Sequence, residues 1–170
     1  MILVLMGVTG SGKTTIGNLL ASETGWRFAD ADDFHSDANK AKMHAGIPLT
    51  DEDRQPWLQT LHALLLGWYE AGISGILGCS ALKQCYREML TPQIPSVNIR
   101  FILLDVPYAV LEQRLHGRKN HYMNPDLLQS QLDTLEVTPD LMRVDAEGPP
   151  QKIVQEILDQ LLTVEGKIDV

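Results

Sequence analysis

Residues 7–14 read GVTGSGKT, directly after the apolar run MILVLM of residues 1–6 and directly before TIGNLLASET of residues 15–24. The octet fits G-x-x-x-x-G-K-[ST], and a place between a strand and a helix is where such a loop must stand to wrap phosphates. Its glycines let backbone N–H groups turn inward, and the following helix adds the positive end of its dipole. The pattern therefore assigns Gly7, Val8, Thr9, Gly10, Ser11, Gly12, Lys13 and Thr14 to a nucleotide-phosphate cradle, which implies ATP. Lys13 is expected to reach the β- and γ-phosphates, and the Thr14 hydroxyl to hold Mg²⁺.

Outward from this loop, apolar runs alternate with helical patterns over the whole length. That alternation predicts an α/β fold, a single-domain P-loop kinase architecture with a five-stranded parallel sheet, helices on both faces and a mobile lid over about 114–126. The strands are expected at 2–6, 26–30, 75–79, 99–104 and 142–144. Helices are expected from Lys13 to a stop at Gly25, over 37–45, along 57–72, after Ser80 as cap, after Pro107, after Pro125 and over 151–162. Thr50 is a plausible cap for the long helix, but Pro56 would then sit deep inside it, so a break near Gln55 is expected.

Composition narrows the partners. With 170 residues, 44% of them hydrophobic, the chain can bury one core and has the size of one domain. A formal net charge of -8 argues against a nucleic-acid surface, which needs a basic stripe. Cys79 and Cys85 form no metal or redox pattern, so reduced thiols and a cytoplasmic setting are expected. The first residues lack a basic leader and are too short for a span, so no membrane partner is expected.

The stretch FADADDFH, residues 28–35, places Asp30, Asp32 and Asp33 at the end of the second strand. Ligands of open α/β sheets bind at that carboxyl edge. Strand alternation would point Asp30 and Asp32 the same way and Asp33 elsewhere, as a helix cap. One acid then serves the metal and the other orients or deprotonates an attacking hydroxyl. The assignment taken is Asp30 to the metal with Thr14 and Asp32 to the hydroxyl, an order that could be reversed. His35 beside them is a candidate partner for a polyol hydroxyl.

An anionic acceptor would need cations beyond the loop. Lys83 and Arg87, four apart on one helix flank, and Arg54, set among Asp51, Glu52 and Asp53, are the candidates. RLHGRKNH, residues 114–121, gathers Arg114, Arg118, Lys119 and His121 at a helix end; the reading is a lid whose Arg118 closes on the transferring group, with Arg114 on the nucleotide.

LMGVTGSGKTT, DADDFH, NKAKMHAGIPLTDEDRQPWL, CSALKQCYRE and RLHGRKNHY resemble, in order and spacing, the gluconate kinases of the P-loop kinase superfamily, from the first strand to the last helix. The resemblance implies ATP- and Mg²⁺-dependent phosphorylation of D-gluconate on its terminal hydroxyl, in enzymes that are commonly homodimers. It matches Gly7 to Thr14, Asp30, Asp32, Arg54, Lys83, Arg87 and Arg118 to motif positions. Ser36 stands where relatives carry proline, and Asp33 where an apolar residue is usual. The mechanism expected is direct in-line transfer: Lys13 neutralises phosphate charge, Asp32 positions the hydroxyl, Arg118 meets the developing charge, and Arg54, Lys83 and Arg87 hold the acceptor's carboxylate. A kinase for another small acid such as shikimate, an ATP-sensing module without turnover and a mononucleotide kinase are the rival readings.

Overall fold

A computed structural model describes residues 1–116 and 125–165. The strands are β1 (Ile2–Met6), β2 (Arg27–Asp30), β3 (Gly75–Gly78), β4 (Ile99–Asp105) and β5 (Met142–Asp145). They form one parallel sheet in the order β2-β3-β1-β4-β5. The helices are α1 (Lys13–Thr24), α2 (Asp37–His44), α3 (Asp51–Glu70), α4 (Gln84–Leu90), α5 (Tyr108–His116), α6 (Pro125–Thr134) and α7 (Pro150–Glu165).

β1 is central, and the ladder places Ile2 between Gly75 and Ile99. All five of its residues are buried, as a strand covered on both faces requires. Alternation divides them: Ile2, Val4 and Met6 join Trp57, Leu58, Leu61 and Leu65 of α3, while Leu3 and Leu5 join Ile16 and Leu20 of α1 and Ile153 and Ile157 of α7. Each such aliphatic side chain contributes about 1.5–3 kcal/mol by leaving water. The two layers leave the carboxyl ends of β1, β2 and β3 open on a common edge, and the loops that leave them carry the site.

Two helix starts differ most from expectation. α3 runs unbroken from Asp51 with Pro56 inside it. The Thr50 hydroxyl accepts the Asp53 N–H while the Asp53 carboxylate accepts the Thr50 N–H, a reciprocal cap that starts the helix early. Pro56 removes only the N–H that would bond the Glu52 carbonyl, and Glu52 is exposed, so water can replace it. Ser80 does not cap α4. The chain turns first at Ala81, in a left-handed conformation at φ 41°, and the helix starts at Gln84 with Lys83 as its N-cap.

Among the described residues no helix is long and apolar enough to cross a membrane.

Candidate active site

The phosphate loop is shaped by its glycines. Gly7, Gly10 and Gly12 have φ of 144°, 80° and 99°, a region that side chains rarely adopt. A Cβ on Gly7 would also stand 2.9 Å from Ser11 Oγ and 3.1 Å from the Leu104 carbonyl oxygen. Lys13 Nζ donates to the carbonyls of Gly7 at 2.9 Å and Val8 at 3.1 Å, so the ammonium lies along the loop. Ser11 Oγ is buried and has no hydrogen-bond partner among the described residues.

Thr14 Oγ1 donates to Asp30 Oδ2 at 2.8 Å, which brings the two expected metal ligands together. Among the described residues no group of three or more His, Cys, Asp or Glu side chains could hold a metal alone. Paired hydroxyl and carboxylate oxygens suit Mg²⁺, which keeps several waters and completes its shell from substrate phosphates. The residues present therefore fit the ion.

β2 ends at Asp30, as expected, and Ala31–Phe34 forms a 3-10 turn, so the alternation argued through Asp32 runs past the strand's end. Strand alternation therefore does not bring Asp30 and Asp32 together. The turn does: Asp30 Oδ1 accepts the Asp32 N–H at 3.1 Å. The cap of α2 goes to Ser36, whose hydroxyl accepts the Asn39 N–H, and not to Asp33.

Asp32 reaches solvent, yet desolvation of its carboxyl, and secondarily the Asp30 charge, raises its pKa, against the pull of Lys13 and His35. A carboxylate so placed holds a proton better than an ordinary aspartate, as a base for a hydroxyl should. His35 is only 8% exposed and stacks on Trp57, with ring centroids 4.3 Å apart and 12° between the planes. Burial lowers its pKa, opposed chiefly by Asp32, and its Nδ1 has no partner among the described residues. Trp57 Nε1 donates to the Ala31 carbonyl at 2.8 Å and so pins the acid-bearing turn to α3.

Arg54 and Lys83 converge from different elements over the ring of Tyr86, with their charges 5.8 and 5.2 Å from its centroid. Arg54 also lies within electrostatic reach of His35. Arg87 does not join them, which corrects the sequence expectation. It is 3% exposed, and its guanidinium donates to the carbonyls of Ala81, Leu82 and Glu136 and to Thr138 Oγ1. Spacing placed it on a helix flank with Lys83; because Lys83 is the cap and not a helical residue, the two side chains diverge. Cys85, next to Tyr86 on α4, is exposed.

Arg114 donates to the Gly10 carbonyl at 3.4 Å and to those of Ala146 and Glu147 at 2.7 and 3.1 Å, so it joins the phosphate loop to the turn after β5. Arg118, Lys119, His121 and most of the expected lid lie outside the described residues. One contact had no sequence signal: the Thr9 N–H donates to Gln131 Oε1 of α6 at 2.7 Å. Trp57 and Tyr86, aromatic residues in helical apolar patterns, carry no sequence signal of a place in the site.

A parallel sheet with a phosphate loop after its central strand, a Thr14–Asp30 pair beside that loop and a desolvated aspartate next to them defines an ATP-dependent P-loop kinase. The shikimate kinase family profile matches residues 9–162. A gluconokinase of Gluconobacter oxydans is 43% identical over 92% of this chain and 88% of its own length. A crystal structure of a sugar kinase from Janibacter sp. HTCC2649 superposes with a TM-score of 0.85 at 47% identity, covering 94% of this chain and 93% of that one. A gluconokinase from Sinorhizobium meliloti superposes at 0.84 with 36% identity, covering 98% and 94%. The chain belongs to the gluconokinase family.

Proposed function

We propose that this protein transfers the γ-phosphoryl group of ATP to the terminal hydroxyl of D-gluconate, giving 6-phospho-D-gluconate. The observation that carries the reading is the run of groups from Lys13 through Asp32 and His35 to Arg54 and Lys83, which sets a base between a phosphate loop and a pair of cations. Family membership supplies the acceptor's identity, and that acceptor has a hydroxyl at one end and a carboxylate at the other.

Bound Mg-ATP supplies the transferable phosphoryl group and an electrophilic phosphorus. Gly7 to Thr14 hold the phosphates, Lys13 leaves the loop carbonyls to meet their charge, and Thr14 and Asp30 hold the metal. Asp32 orients the acceptor hydroxyl and takes its proton as the oxygen attacks in line. His35 hydrogen-bonds a polyol hydroxyl, Arg54 and Lys83 receive the carboxylate, and Arg114 supports the nucleotide. Arg118, within a lid over residues 114–126, approaches the developing charge. Arg87 contributes by holding the loop that bears Lys83. The reading includes a single domain, Mg²⁺ as cofactor, a homodimer as in the family, and a cytoplasmic setting suited to the free thiols of Cys79 and Cys85.

Coupled ADP release with D-gluconate, other aldonates, shikimate, glucose and sorbitol tests it. Selective turnover of D-gluconate is expected. Preferred turnover of shikimate or another acid replaces the substrate, and ATP binding without turnover on any acceptor refutes the kinase reading.

A further inference from the structure

Arg54 and Lys83 already hold a carboxylate. Lys83 Nζ donates to both oxygens of Asp51 at 3.1 Å, the Tyr86 hydroxyl donates to Oδ1, and Arg54 Nη1 stands 3.8 Å away. Arg54 keeps a second hold, donating to the Leu49 carbonyl at 2.6 Å, so it does not depend on Asp51 for its place. Two cations and a phenol hydroxyl thus converge on one carboxylate against an aromatic face. Tyr86 and then Lys83 hold the Asp51 carboxyl below the usual carboxylate range, and Asp51 in turn holds the Lys83 ammonium above its ordinary value.

The arrangement is made to exchange. The Asp51 side chain is 60% exposed, so no burial locks it, and an ion pair this open to solvent is screened and weak. Asp51 is the first residue of α3, whose start is secured by the separate Thr50–Asp53 cap; its side chain can swing out without unwinding the helix.

We propose that Asp51 is a specificity-determining residue whose carboxylate is the resident occupant of the subsite for the acceptor's carboxylate, displaced when an acid acceptor binds. The proposal rests on the reading that Arg54 and Lys83 receive that group. Its consequence is a damped selectivity. Because Asp51 pairs the cations, a neutral polyol can bind without leaving them uncompensated, while an acid must first displace the resident group.

The test is steady-state kinetics of Asp51→Asn with saturating ATP, using D-gluconate and sorbitol as acceptors. The KM for gluconate is expected to fall about 2- to 5-fold. The KM for ATP and kcat on gluconate should stay unchanged, and the gluconate-to-sorbitol ratio of kcat/KM should rise. A gluconate KM that is unchanged or raised overturns the proposal, since a residue that merely positioned the cations would raise it. Should the variant fail to fold, Asp51→Ser removes the carboxylate and leaves Arg54, Lys83 and the Tyr86 hydroxyl in place. A lowered KM there supports displacement; an unchanged or raised one refutes it. Arg54→Gln and Lys83→Met separate the two levels. If neither raises the gluconate KM, the carboxylate reading itself fails; if they raise it while Asp51→Asn lowers nothing, only the resident-occupant proposal falls.

Discussion

Arg87→Met is expected to lose stability before it loses substrate. The guanidinium makes four hydrogen bonds, to the carbonyls of Ala81 at 3.0 Å, Leu82 at 3.2 Å and Glu136 at 3.0 Å, and to Thr138 Oγ1 at 3.2 Å. It also steadies Ala81, a buried non-glycine residue at φ 41° of a kind that costs about 1–3 kcal/mol unless its surroundings hold it. Methionine fills most of the volume but removes one donor from each of those oxygens; the Leu82 carbonyl keeps the Glu136 N–H and exposed Glu136 can turn to water, while each oxygen left bare costs about 1–3 kcal/mol. Loss of the unfavourable desolvation of a buried cation offsets part of this, so a net loss of about 3–5 kcal/mol follows. For a chain of this size that is about 6–20 °C in melting temperature. Thermal and urea unfolding followed by circular dichroism measure it, with Arg87→Lys intermediate because an ammonium cannot span the same acceptors. A melting temperature within about 2 °C of the parent, together with a raised acceptor KM, would refute the reasoning and return Arg87 to the acceptor.

Asp32→Asn should reduce kcat by about 10²–10⁴-fold while calorimetric ATP binding persists, because the change removes a hydroxyl partner and no phosphate contact. In the parent, kcat should fall on the acid side with a midpoint above the usual carboxylate value of 3.8. The sign for stability follows from the same raised pKa. A carboxyl that holds its proton more tightly when folded favours the fold below 3.8 and loses that contribution as pH rises through its folded pKa, so Asp32→Asn should melt higher than the parent at neutral pH and the gain should vanish in acid. Gln131→Ala frees the Thr9 N–H from its tether to α6 and should raise the KM for ATP several-fold with the gluconate KM unchanged; equal ATP kinetics would reduce that contact to packing.

The phosphate loop was legible because its signal is local: glycine conformations and one lysine read the same way in the chain as in the fold. The strands were legible because a sheet covered on both faces demands uninterrupted apolar runs. The acids were found for a reason that did not hold, since period-two alternation stops where the 3-10 turn begins at Ala31. Arg87 shows the limit of spacing arguments. A four-residue interval orients two side chains alike only if both belong to the helix, and the positive φ at Ala81 moved its start beyond Lys83. No alanine advertises that conformation. Gln131 and Glu136 were out of reach for another reason: their partners, the Thr9 and Gln84 amides, lie far away in sequence, and a lone polar side chain carries no record of the backbone group it will meet.

The chemistry of the Arg87 cage separates two kinds of response to acid. A guanidinium stays charged at any pH the fold survives, and the carbonyls and hydroxyl around it do not titrate in that range, so this hold on the acceptor loop is blind to pH. Asp32 and His35 carry displaced proton affinities and do respond. Acidification through the raised pKa of Asp32 therefore silences the base while the turn that presents Lys83 keeps its shape, and activity lost in this way should return in full on neutralisation, without a refolding lag.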